Sequence, residues 1–254
     1  MRKFIKYIVK HIPRTTLIRF SHLFSILIYP FYVGKKHYCP ICKHSFRKFL
    51  PYGNKGAANR LCPNCLSLER HRLLWLYLKN KTAFFTEKYK VLHIAPEQPF
   101  IKRFKKLPAL SYITADLLSP LADVKMDIRN IPFENETFDV VICNHVLEHI
   151  DDDLKAMTEI FRVLRKNGFA IVQVPLDSKL SKTYEDFSIT SPEEREKIFG
   201  QYDHLRIYGL DYPQRLEKAG FKVEINHYIE TFADEEINYY RLDKNELLYI
   251  AHKL

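Results

Sequence analysis

From Val91 onward, short apolar runs alternate with stretches of helical periodicity, and no other feature of the chain narrows its fold so far. Strands that alternate with helices are joined by crossovers, so the sheet they build is parallel and covered on both faces. The apolar runs read as strands at 91–95, 111–116, 123–128, 138–143, 169–174, 221–228 and 247–252. Phe138-Asp-Val-Val-Ile-Cys143 is the clearest, because β-branched residues fill it and polar residues bound it. Helices read at 99–106, 151–165 and 212–219. In the second, Asp151, Asp152 and Asp153 suit the positive N-terminal end, Arg162, Arg165 and Lys166 suit the negative C-terminal end, and Gly168 is the stop. Gly220 closes the third helix. The expectation is an α/β body with about seven, mostly parallel strands and no internal repeat.

Charge divides the chain. Residues 1–90 carry a net +17 and residues 91–254 a net −7, so a basic N-terminal part suited to phosphates or anionic lipid precedes a mildly acidic body. Only 7 glycines and 46% hydrophobic residues exclude a disordered or low-complexity chain. Residues 1–36 start with basic residues ahead of apolar ones, as a signal peptide does, but no small-residue cleavage site follows. The longest uncharged stretch there, 20–34, has 15 residues and contains His22 and Pro30, short of the ~20 that cross a bilayer. The segment therefore reads as a helix, lying either on a membrane surface or against the body, and not as a transmembrane span.

Five cysteines are too few and too clustered for a secreted disulfide scaffold, which points to a reducing compartment, the cytoplasm, with the inner membrane face as a peripheral location. Cys39-Pro-Ile-Cys42 and Cys62-Pro-Asn-Cys65, with nineteen residues between them, have the spacing of a zinc ribbon. One such pair alone would suit redox chemistry; two, each with proline after the first sulfur, suit two tight turns that complete a tetrahedron. His37, His44 and His71 lie near enough in sequence to replace one ligand. Lys43, Arg47, Lys48, Lys55 and Arg60 between the pairs suit phosphates, RNA included. Cys143 reads as a small buried residue.

In an open parallel sheet, ligands bind beyond the carboxyl ends of the strands, where strand order reverses. Polar residues gather at those ends. Asp116 ends the second strand, where a carboxylate can accept both hydroxyls of a ribose, and Asp127 ends the third, where one can accept from an adenine amine. Asn144, His145 and Glu148 follow the fourth.

The run from Asp127 through Phe138-Asp-Val-Val-Ile-Cys-Asn-His-Val-Leu-Glu-His-Ile150, with Arg162-Val-Leu-Arg-Lys-Asn-Gly168 after it, resembles the type 11 group of class I S-adenosylmethionine-dependent methyltransferases. Cys62-Pro-Asn-Cys-Leu-Ser-Leu-Glu-Arg-His-Arg72 ahead of Val91-Leu-His-Ile-Ala-Pro-Glu97 is similar to a bacterial subgroup with a leading four-cysteine segment. The resemblance covers residues 37–254. It implies a Rossmann-like sheet, S-adenosylmethionine as cofactor, Asp116 at the ribose, Asp127 with Ile128 at the adenine, and Asn144 near the methionine end. With the helical segment read at 1–36, the expected division is then a zinc ribbon at 37–75 and a methyltransferase domain at 76–254. The chain departs from the group at the first motif, where His93-Ile-Ala-Pro-Glu-Gln98 holds no glycine. Ala95 is the tolerable replacement, Pro96 cannot donate a hydrogen bond, and Glu97 would meet the methionine ammonium.

Residues 175–208 are too long for a plain connection and read as a lid over the acceptor. Glu185, Arg206 and Tyr208 are its substrate candidates, with Arg206 suited to a carboxylate or phosphate. His204 and His145 are the candidate bases. The expected activity is methyl transfer to an unidentified acceptor, either a small-molecule or glycan hydroxyl or an RNA base. The alternative from another class is a non-catalytic zinc-ribbon interaction protein.

Overall fold

The computed structural model describes residues 24–53, 56–120 and 122–254. The expected basic segment at 1–36 therefore lies mostly outside the described residues. Within them, no helix is long and apolar enough to cross a membrane.

The N-terminal part folds as two small hairpins. Strands β1 (Val33–Cys39) and β2 (His44–Phe46) pair antiparallel, as do β3 (Leu50–Tyr52) and β4 (Ala57–Leu61). Helix α1 (Glu69–Lys81) follows. The body then alternates as expected: β5 (Tyr89–Ile94), α2 (Gln98–Phe104), β6 (Leu110–Asp116), β7 (Val124–Lys125), β8 (Phe138–Asn144), α3 (Asp153–Val163) and β9 (Leu164–Gln173). A long excursion holds β10 (Tyr184–Glu185), α4 (Pro192–Phe199) and β11 (Arg206–Ile207). The chain finishes with α5 (Tyr212–Lys218), β12 (Lys222–Asn226), α6 (Asp234–Tyr240) and β13 (Leu248–His252).

Seven strands form one sheet in the order β12-β13-β9-β8-β5-β6-β7. All neighbours from β7 to β9 are parallel; β13 runs antiparallel to both β9 and β12. Chain order reverses between β5 and β8, which makes their carboxyl ends the switch point. The two-residue period of a strand sends successive side chains to opposite faces. Along β8, Val141 and Cys143 pack under Ala156, Met157, Ile160 and Val163 of α3, while Val140 and Ile142 join the opposite cluster with Phe100 and Phe104 of α2. That second cluster also contains Cys39, Phe46, Leu73 and Trp75, so the cysteine-bearing part and the body share one apolar core.

Two expectations about the sheet are corrected. The third strand is paired only over Val124–Lys125, far short of 123–128, because Asp123 is held by the Thr114 amide and hydroxyl at 3.0 and 2.7 Å before it, and a turn at Asp127, whose Oδ1 accepts from the Arg129 amide at 2.8 Å, ends it. Gly168 does not stop the helix. The helix ends at Val163 and the strand begins at once, with Gly168 inside it, where a Cβ would lie 2.8 Å from the Asp139 carbonyl.

Candidate active site

The loop leaving β5 turns through Ala95 at φ 48°, and the loop leaving β8 turns through His145 at φ 55°. Both are left-handed positions held by residues with a Cβ, and each backbone is tied to the neighbouring strand: Ala95 N–H to the Ala115 carbonyl at 2.8 Å, His145 N–H to the Gln173 carbonyl at 2.7 Å. Such strain persists only where the surroundings impose it. Ala95→Gly is expected to change stability by less than about 1 kcal/mol in a denaturant melt, since relief of left-handed strain offsets the extra freedom of the unfolded chain.

Past Ala95 the chain drops Glu97 into the junction, its side chain only 13% exposed. Its Oε1 accepts from His71 Nε2 at 2.7 Å and its Oε2 from Asn144 Nδ2 at 2.9 Å. Arg70 Nε and His93 Nε2 lie farther off, at 3.8 and 3.7 Å. His71 has a fixed tautomer: the Leu68 amide donates to Nδ1 at 3.0 Å, so Nε2 carries the proton given to Glu97. Burial alone would raise the Glu97 pKa, but the pull and hydrogen bond of His71, the His93 ring and the Arg70 charge outweigh it and hold the carboxyl well below its usual range.

Buried polar atoms are nearly always partnered. Among the described residues, five buried side-chain atoms are not: Arg70 Nε, His93 Nε2, Asn144 Oδ1, His145 Nε2 and Glu148 Oε2. Each belongs to a residue at the β5/β8 junction or to one touching Glu97. A groove of about 570 Å³ lined by Tyr77, Lys81, Phe169, Tyr228 and His252 lies elsewhere and contains none of them.

The other expected cofactor positions lie along the same edge. Asp116 ends β6, where its Oδ1 accepts from the Leu118 and Ser119 amides at 2.7 and 2.6 Å, which fixes the carboxylate. Asp127 is already engaged: Arg129 reaches its Oδ2 at 2.7 Å, and that contact pulls the Asp127 pKa down. Ile128 beside it is buried.

In the excursion after β9, the structure corrects the reading of Arg206 and Tyr208 as acceptor contacts. Arg206 is 1% exposed and spends its guanidinium on the protein: Glu185 Oε2 at 2.8 Å and the carbonyls of Leu147 at 2.7 Å, Ile150, and Asp151 at 2.8 Å. The Tyr208 hydroxyl donates to Asp153 Oδ2 at 2.7 Å. Buried charges demand such partners, so these residues pin the excursion onto the turn after β8. They position His204, whose ring meets His149 edge-on at 4.8 Å. His145 also meets Glu148, its Nδ1 3.5 Å from Oε1. Glu185 itself is taken by Arg206.

The four cysteine sulfurs of the two pairs lie within 4.8 Å of one another, with Cys39 to Cys65 at 3.6 Å and Cys42 to Cys62 at 3.7 Å. A tetrahedral site with Zn–S bonds of ~2.3 Å has S···S edges of about 3.8 Å, so the donor set fits zinc. The two turns are alike: the amide after each second cysteine closes back on the first cysteine's carbonyl, Lys43 to Cys39 at 2.9 Å and Leu66 to Cys62 at 3.0 Å, and both residues are left-handed at φ 59° and 58°. Arg72, fully buried beside them, donates to the carbonyls of Ser67 at 2.6 Å, Arg60 at 3.1 Å, Tyr240 at 2.8 Å and Arg241 at 2.5 Å. The basic residues here are divided in use: Lys43, Arg47 and Lys48 are exposed, whereas Arg60 pairs with Glu69.

The sequence reading does not bring His71, Arg70 or His149 to the β5/β8 junction: it weighs His71 only as a stand-in zinc ligand, and places Glu148 alone of this group among the polar residues after the fourth strand. Glu69-Arg-His-Arg72 contained the first two in plain sight, but only the fold brings α1 to the β5 loop.

Residues 77–172 match the family model described as a methyltransferase domain. The strand order places these residues in a Rossmann-like sheet, and the matched stretch, under half of the chain, is similar to that family. A protein of Mycolicibacterium smegmatis named "Probable S-adenosylmethionine-dependent methyltransferase" is 27% identical over 106 residues, 41% of this chain and 37% of that one. An uncharacterised protein of Methanocaldococcus jannaschii is 43% identical over 65 residues, 25% of this chain and 28% of that one. The chain thus spans well under half the length of either relative. The structure of an S-adenosylmethionine-dependent methyltransferase from Mesorhizobium loti covers 71% of this chain and 98% of its own length at 13% identity, with a TM-score of 0.49.

Proposed function

We propose that the chain transfers the methyl group of S-adenosylmethionine to a hydroxyl of a small molecule or glycan, with a zinc ion held by Cys39, Cys42, Cys62 and Cys65 as a structural brace. The observation that carries this reading is the set of buried, unpartnered polar atoms at the switch point of a methyltransferase domain. The residues fit the cofactor. Asp116, fixed by its own loop amides, faces the ribose diol; Glu97 and the unpaired Asn144 Oδ1 accept from the methionine ammonium; Ile128 packs at the adenine, beside Asp127. Bound there, S-adenosylmethionine supplies an electrophilic methyl on sulfur. His145 holds an unpaired ring nitrogen next to Asn144 and is the group placed to take the acceptor proton. His71 and Arg70 come from the helix after the second cysteine pair, so the zinc brace holds the partners of Glu97 in place. A reducing compartment, the cytoplasm, keeps the thiolates available to the metal.

The test is a calorimetric titration of zinc-loaded protein with S-adenosylmethionine. Asp116→Ala is expected to weaken binding by about 1.5–3 kcal/mol, ten- to a hundredfold, through loss of charge-assisted bonds to the ribose. Asp123→Ala is expected to leave affinity unchanged, since Asp123 serves Thr114 and Lys105. Equal losses in the two variants would refute the assignment. Profiling of cell extracts with an isotopically labelled methyl donor then identifies the acceptor, and a labelled RNA product would overturn the hydroxyl reading.

A further inference from the structure

The turn after β8 and the excursion after β9 bring together three side chains that the cofactor reading leaves unused. Glu148, His149 and His204 each place one donor atom within 4.8 Å of the others. We propose that they form a second metal site, open to solvent or substrate, for a divalent first-row ion.

Three observations carry it. Glu148 is 1% exposed, and its Oε2 has no hydrogen-bond partner. A carboxylate oxygen buried without a partner is costly unless a cation or proton meets it. The two imidazoles are turned the way metal ligands are turned. His149 Nδ1 lies 3.3 Å from the Asp203 carbonyl and 3.4 Å from its carboxylate, and His204 Nδ1 lies 3.2 Å from the Phe199 carbonyl. Carbonyls only accept, so each Nδ1 carries the hydrogen and each Nε2 keeps its lone pair. The geometry is also held from outside. The Leu205 amide donates to the Glu148 carbonyl at 2.8 Å, and Arg206 clamps the carbonyls on either side of His149, at Leu147 and Ile150. The clamp that removed Arg206 from the acceptor's reach thereby sets His204 against Glu148.

Two imidazole nitrogens and one carboxylate leave positions free on a first-row ion, unlike the closed set of four thiolates. His145 Nδ1 lies 3.5 Å from Glu148 Oε1, and its buried Nε2 has no partner among the described residues. Glu148 lies four residues past Asn144, in the turn that leaves β8, so a metal here would hold an acceptor oxygen beside the methionine end of the cofactor. That last step rests on the methyltransferase reading; the metal site does not.

The experiment is a titration with Mn²⁺ of the full chain carrying a single equivalent of zinc, the one the four thiolates hold, followed by the loss of the free-ion paramagnetic resonance signal. Mn²⁺ prefers oxygen and leaves zinc on the thiolates undisturbed. One equivalent is expected to bind at sub-millimolar concentration, and Glu148→Gln and His204→Ala are each expected to weaken it by about tenfold or more. Glu148→Gln preserves side-chain shape; should it fail to fold, His204→Ala, on the excursion outside the sheet, decides. Absence of uptake, or uptake that His204→Ala leaves unchanged, overturns the proposal. Titrating the same samples with S-adenosylmethionine separates the two claims: no cofactor binding with intact Mn²⁺ uptake counts against the methyltransferase reading and supports the metal site.

Discussion

Cys62→Ala is expected to lose the zinc equivalent that the wild-type chain retains through dialysis, and to destabilise the whole fold. Three remaining thiolates and a water would leave the site open, and Cys62 is fully buried. In isolated zinc-finger peptides, metal binding supplies on the order of 10 kcal/mol of folding free energy. Here part of the segment stays fastened without metal, because Arg103 Nε grips the Ile41 carbonyl at 2.7 Å and His37 Nδ1 meets the Asn238 carbonyl at 2.9 Å. The expected loss is therefore smaller, on the order of 3–5 kcal/mol, chiefly from thiolates left buried without their cation. Metal analysis and a urea melt measure the two halves of the prediction; full zinc retention in the variant would disprove the ligand set.

Glu97→Gln is the second large effect. The carboxylate accepts on both oxygens, from His71 and from Asn144. A glutamine has one accepting oxygen, so its NH₂ group meets one of those donors head-on and leaves it unpartnered. Breaking a buried charged network from one side costs roughly 3–5 kcal/mol, and S-adenosylmethionine affinity is expected to fall at least tenfold with it. The pH dependence has a definite sign. Because the folded-state pKa of Glu97 lies well below its ordinary value of 4.5, its stabilisation is fully present above that value. It is lost as pH falls through the depressed folded pKa. The wild-type chain should lose stability on that acid limb, and Glu97→Gln should start lower and fall less. Superimposable acid limbs in the two proteins would show that Glu97 is not ionised in the fold.

The central strands β5, β8 and β13 are legible in the sequence because they are short and buried along most of their length. Phe138–Asn144 lies within one residue of its sequence reading. Helix α1 was not read, because nine of its thirteen residues are buried and no polar face marks its period. The two-residue strands β10 and β11 were equally invisible, since their pairing depends on Arg206 finding Glu185 across the excursion. At the site, residues at strand ends could be placed by counting along the sheet. Arg206 could not: a guanidinium reads as exposed from composition, and only the carbonyls of Leu147, Ile150 and Asp151 bury it. His149 was passed over for a related reason. It follows Glu148 in a tight turn of three residues, so sequence spacing gives no hint that His204 arrives opposite.

The position of β13 sets an order of events in time. Leu248–His252 follows β12 in the chain, yet it lies inside the sheet, between β9 and β12. Strands β5, β6, β8 and β9 can pair as they emerge, but β12 has no neighbour until β13 arrives. The N-terminal segment waits too, because Arg72 is satisfied by the carbonyls of Tyr240 and Arg241, and His37 by a carbonyl 201 residues away. Contacts this distant in sequence make folding slow. During synthesis the cysteine-bearing part and the first strands spend that interval with the apolar cluster they share with Tyr228, Leu248 and Ile250 incomplete.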